Sequence, residues 1–150
     1  MPRVTRARTI GIEPERVWDL VSDPHSMPRW WPRTRRVESV EGKGARSRWT
    51  AVLETDRGST VRADFRCTQA TAGKRFVFNQ DIAGTPFERV LREASVEVLI
   101  APESTGARIS LTSVESLRGM ARLGGAMMRS AARRRLDEAL TGIERALVGE

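Results

Sequence analysis

The spacing of apolar residues changes once in this chain of 150 residues, and that change constrains the fold more than any other feature. From residue 37 to about residue 115 the apolar positions recur every second residue, in runs separated by short turns. From about Leu117 to Leu147 there is no proline, and Met128, Ala132, Leu136, Leu140, Ile143 and Leu147 recur at steps of three or four. The first spacing is that of a strand with one buried face. The second is the stripe of an amphipathic helix. The chain therefore reads as an antiparallel sheet whose apolar face is covered by a long C-terminal helix.

The segment before the meander is different. Residues 3–12 alternate and predict a first strand. Glu13-Pro14-Glu15 opens a helix, since proline is tolerated and acids are favoured in the first turn. Val17, Leu20 and Val21 give it an apolar face, with Trp18 beside it, and Pro24 stops it. A second short helix or turn covers Ser26 to Trp31. Strands then follow around turns at 41–44, 56–59, 71–74, 83–86 and 102–106. The last two strands are 87–101 and 107–115. Val90, Ala94, Val96, Val98 and Ile100 form one face of the first of these, and Glu93, Ser95 and Glu97 the other. A bulge that reversed part of this strand would turn Glu97 inward as a candidate general base.

Composition narrows the function classes. A hydrophobic fraction of 39 % in periodic runs suits one folded domain over residues 1–150. No run approaches the roughly 18 apolar residues of a membrane span. The N-terminus enters an alternating strand with no apolar signal core, so a cytoplasmic location is expected. Cys67 and His25 are single, which allows no internal disulfide and no ordinary N/S zinc site. No metal or other cofactor is expected. The net charge of +7 is carried almost wholly by Arg, with Lys43 and Lys74 the two lysines. Arg is dispersed among Glu and Asp, and Arg133-Arg134-Arg135 fans around a helix, so a solvated surface is expected and nucleic-acid binding is not.

The stretch from Ile12 to Gly42 contains Pro14-Glu15, Val17-Trp18, Leu20, Asp23, Trp31-Pro32 and Val37-Glu38 in order. With the ending Leu136 to Glu150, it resembles the polyketide cyclase/dehydrase and lipid-transport group of the START/Bet v 1-like (SRPBCC) superfamily. The resemblance implies an α+β helix-grip fold. A curved antiparallel sheet of six to seven strands would surround the long C-terminal helix, with two short helices after the first strand. It also implies a small hydrophobic ligand, lipid-like or polyketide-like, held in a cavity between sheet and helix. The fold hosts carriers, cyclases and regulators alike, so a cyclase/dehydratase-type enzyme and a macromolecular adaptor remain alternatives.

Within that frame, Trp49, Phe65, Phe76 and Phe78 share the inward parity with small Ala51, Ala63 and Cys67, a mixture that can leave a hollow. The candidate ligand-binding residues are Trp30, Trp49, Ala63, Phe65, Phe78, Gln80, Val98, Leu111, Met120 and Met128. One of Trp30 and Trp31 lines the cavity mouth, and the sequence leaves open which. Gln80 and Ser113 are polar at inward positions, where a ligand can partner them. Met120, Met127 and Met128 suit an adaptable lid or plain helix–sheet packing. No catalytic residue is assigned. Ser22, Asp23 and His25 are sequence neighbours and do not make a triad between separated elements. Monomer and homodimer are both compatible with the sequence.

Overall fold

The computed structural model describes residues 3–118 and 125–149. β1 (Arg3–Ile10) leads into α1 (Pro14–Val21), with Pro14 in the first helical turn and Val17, Leu20 and Val21 buried. Trp18 is half-buried and meets Phe76 edge-on, with ring centroids 6.1 Å apart. Asp23 then accepts from the His25 amide and caps a single 3-10 turn, Pro24–Ser26. α2 (Met27–Trp30) follows directly and buries Met27 and Trp30.

Six strands come next: β2 (Thr34–Glu41), β3 (Arg48–Glu54), β4 (Thr60–Thr71), β5 (Arg75–Asp81), β6 (Leu91–Glu103) and β7 (Gly106–Leu117). Every neighbouring pair is antiparallel, in the order β1-β7-β6-β5-β4-β3-β2. β1 and β2 thus lie at opposite edges, and α1 and α2 carry the chain from one to the other. α3 (Gly125–Val148) covers the apolar face with Ala132, Leu136, Ala139, Leu140, Ile143 and Leu147. The residues that the sequence assigns to the helix stripe from Ala132 onward are all buried, and Ala139 and Gly142 are buried with them. Met120 lies outside the described residues.

Two local features matter for the site. β6 has a register shift between Leu91 and Glu93. An extra residue there reverses the facing of what precedes it, so Leu91 is buried; Val90 lies before the strand, capping a 3-10 turn at Pro86–Arg89, and is 48 % exposed. The expected strand over 87–101 thus begins only at Leu91, and Val90 is not on its inward face. Downstream the alternation holds, and Glu97 stays on the opposite side from Val96 and Val98, bound to Arg75 at 2.6 Å. The inward Glu97 is therefore not realised. The second feature is β2, which carries two register shifts and has Ser39 at φ 54°.

Charge sits on the outer surface in compensated sets. Glu38 accepts from Arg36 and Arg62 at 2.9 and 3.1 Å, and these hydrogen bonds, that from Arg36 first, hold its carboxyl below the usual range. Asp81 lies 2.9 Å from Arg66 and 3.6 Å from Arg48. On β1, Arg6 reaches Asp137 at 2.9 Å and Arg8 reaches Thr141 and Glu144 at 3.0 and 3.3 Å, tying the edge strand to α3.

α3 meets α2 through Gly142. A Cβ there would lie 2.5 Å from the Trp30 carbonyl oxygen and 2.8 Å from Trp30 Cα. Both atoms are backbone and cannot swing aside. Gly142→Ala is expected to destabilise by about 1–3 kcal/mol through overpacking, although alanine is the better helix former by about 1 kcal/mol. Thermal or urea unfolding checks this, and an unchanged or raised stability would refute the close seat. Cys67 is buried, and burial pushes its thiol up from its ordinary value. Less thiolate is then present at a given pH, so alkylation by iodoacetamide at pH 8 should be slow in the native protein and rise to the free-thiol rate in denaturant.

Candidate functional site: a hollow under the start of the last helix

The inward rings fill the middle of the fold. Trp49 stacks on Phe65 and Phe76 at centroid distances of 6.0 and 6.4 Å, and its indole Nε1 donates to Met27 Sδ at 3.2 Å. Phe78 meets Trp30, Trp31 and Phe65 edge-on at 6.5, 5.7 and 5.5 Å. Such edge and offset contacts add to plain burial and fix ring positions. Beneath the C-terminal half of α3 the core is therefore solid.

Beneath the first half it is not. There the helix offers Ala131, and the sheet beneath offers Ala94 and Ser113. Small residues on both walls leave a hollow of about 600 Å³ between the ring cluster and a smaller cluster of Ile82, Leu91 and Leu117. Its inner wall is Phe65, Phe78 and Val96, with Trp31 and Leu53 to one side and Phe87 and Leu91 to the other. Arg134, Arg135 and Glu138 of α3 and the ion pair Arg33–Asp56, 2.6 Å, form its rim.

Its polar groups follow from strand register. Phe65 is paired with Gln80, and Asn79 with Ser95, so Gln80 lies beside Ala94; Ala94 in turn is paired with Glu115. Phe65, Gln80, Ala94 and Glu115 thus form one row across four strands. In the next row Phe78 is paired with Val96, and Val96 with Ser113. Gln80 Nε2 is buried with no hydrogen-bond partner. An amide donor in that position costs about 1–3 kcal/mol unless something accepts from it. Glu115 is 8 % exposed, and Arg135 Nη1 donates to its Oε1 at 3.4 Å.

Of the sequence candidates, Phe65, Phe78 and Gln80 line the hollow. Trp31 lines it, and Trp30 lies behind in the core. Trp49 and Ala63 are buried in the ring cluster, and Val98 and Leu111 pair with each other in the sheet interior. None of these four borders the hollow. Met128 packs against the cluster of Ile82, Leu91 and Leu117 at its end, whereas Met127 is 80 % exposed. Glu115 is the residue that sequence reasoning missed. Its signal was present, because it shares parity with Ile109, Leu111 and Ser113, all buried. Among the described residues no cluster of His, Cys, Asp and Glu could hold a metal, and no helix is long and apolar enough to cross a membrane.

A curved sheet closed over a hollow by one long helix defines an α+β protein of the helix-grip type. The family model described as polyketide cyclase/dehydrase and lipid transport matches residues 1–148, and the chain belongs to that family. Among solved structures it is similar to TTHA0849 from Thermus thermophilus, with 22 % identity over 99 % of this chain and 98 % of that one, TM-score 0.74. NE0264 from Nitrosomonas europaea matches with 14 % identity over 98 % and 94 %, also at 0.74. The di-domain ARO/CYC BexL from the BE-7585A biosynthetic pathway matches with 20 % identity over 97 % of this chain and 46 % of that one, TM-score 0.78. At these identities the likeness is one of fold. No curated protein matches the chain.

Two substitutions separate the solid core from the hollow. Phe78→Ala removes a ring in contact with five others and should cost about 3–5 kcal/mol. Ala63→Trp places a ring in filled space and should also destabilise, by about 1–3 kcal/mol. Unfolding curves check both, and a tolerated Ala63→Trp would mean that the hollow extends to Ala63.

Proposed function

We propose that the chain, as a single domain, binds a small hydrophobic molecule, lipid-like or polyketide-like, in the hollow between the sheet and α3. The observation that carries this reading is the unpartnered Gln80 Nε2, which shares the wall with the apolar Phe65, Phe78 and Val96. Ligand sites are mostly apolar with a few placed polar groups, and about 600 Å³ falls in the usual range for small molecules. Family membership supports the same reading. A ligand carbonyl accepting from Gln80 would relieve the desolvated donor, while Phe65, Phe78 and Trp31 contact its apolar body.

A second reading, ring closure or dehydration in the same hollow, is favoured by one observation: Glu115 places a buried carboxylate on its wall. A carboxylate next to a bound polyfunctional chain can move protons. The similarity in fold to an ARO/CYC protein is compatible with this. The adaptor reading has less support, because Arg36, Arg62, Arg66 and Arg75 are met by acidic partners.

Ala94→Phe tests the binding role. The new ring enters the hollow at the middle of the polar row, so melting should change little while binding of a neutral apolar fluorophore falls at least about tenfold. Native mass spectrometry of the purified parent should show a co-purified small molecule or uptake of the fluorophore, with a rise in melting temperature at saturation. A parent protein that takes up neither, at any concentration short of micelles, would refute the proposal.

A further inference from the structure

Gln80 and Glu115 flank Ala94 in one cross-strand row, with only its methyl group between them. Their Cα atoms are two strand spacings apart, about 10 Å. On one side of Ala94 is a donor without a partner. On the other is a carboxylate that only accepts. We infer that Glu115 determines the specificity of the hollow: it selects neutral molecules carrying a hydroxyl at one end and a carbonyl oxygen at the other, and it rejects carboxylates, fatty acids among them. This rests on the reading of the hollow as a ligand site.

The argument turns on what Glu115 has and lacks. It is 8 % exposed, so water does little to solvate it. Its cation, Arg135, approaches one oxygen at 3.4 Å, which is long for a charge-assisted bond. An ionised carboxyl has room for about four hydrogen bonds, so acceptor capacity is left for a ligand hydroxyl. A hydroxyl donating there gains a bond to a charged group, while an analogue with hydrogen in its place leaves that capacity unused.

A ligand carboxylate meets the opposite situation. It would lie beside a like charge in a poorly solvated place. The nearest cation is already engaged, and a ligand that drew Arg135 away would leave Glu115 buried without its partner. Arg33, on the far rim, is paired with Asp56 at 2.6 Å. The remaining charges at the α3 rim are Arg134 and Glu138, which are of opposite sign. Ser113 adds a hydroxyl and no charge. The polar wall is thus nearly neutral overall but negative at its buried end.

Three flat ketones of the same skeleton test this by calorimetric titration at pH 6.5: 6-acetyl-2-naphthol, 2-acetylnaphthalene and 6-acetyl-2-naphthoate. The parent protein should bind the naphthol about tenfold more tightly than the unsubstituted ketone, and the naphthoate more weakly than either; tenfold corresponds to about 1.4 kcal/mol. Glu115→Gln should bring the naphthol-to-ketone ratio within about threefold and raise affinity for the naphthoate. Equal binding of the three by the parent protein overturns the inference with no variant needed and leaves the ligand site standing. Unchanged ratios in a folded Glu115→Gln protein also overturn it. Failure of all three, together with failure of the neutral fluorophore, refutes the ligand site itself and this inference with it.

Discussion

The close approach of α3 to α2 at Gly142 is the contact on which the rest of the structure depends. A sheet with one apolar face must be covered, and the helix is the cover. With no side chain at residue 142, the helix backbone comes down onto the backbone of Trp30. That fixes the C-terminal half of α3 tightly over the ring cluster of Trp30, Trp49, Phe76 and Phe78. The helix is a stiff rod, so its height at one end governs the space at the other. Over the first half, alanines and a serine on facing walls do not fill that space, and the hollow results.

Much of the fold was legible in the sequence because it rests on periodicity. The turns, the strands and the helix stripe from Ala132 to Leu147 are all set by which residues must leave water. Val90 was misplaced because residues 86–89 form a 3-10 turn that leaves no mark in the alternation, so the strand starts later than its apolar run. The site was less legible. Sequence parity separates inside from outside, but it does not tell a filled inside from a hollow one. Trp49, Ala63, Val98 and Leu111 are as buried as Phe65 and Phe78, yet the former belong to the solid core. The difference depends on the height of α3, which is set by a glycine far along the chain. Trp30 and Trp31 are adjacent and alike, and only the turn of α2 decides which ring faces the space. Glu115 is the reverse case, since its inward position could be read from its neighbours.

The polar groups of the hollow show how a strand register becomes chemistry. Gln80, Ala94 and Glu115 are far apart in sequence and come from β5, β6 and β7, yet pairing sets them in line. The spacing between donor and carboxylate is then a property of the sheet, as rigid as its hydrogen bonds. Side chains on loops would leave that distance soft. A molecule that spans the row is measured against a fixed ruler, and Ala94 keeps the middle of the ruler clear.

The irregular outer strand has a different consequence. β2 leaves the regular ladder at two places, and its exposed positions include the charged Arg35, Arg36 and Glu41. An incoming strand would find neither an even row of amides and carbonyls nor an uncharged border. At this margin the sheet ends by design of its backbone, so growth by adding strands from a neighbouring molecule is opposed there. A protein that must expose an open, curved sheet to hold its hollow is thereby guarded against the commonest route by which such sheets aggregate.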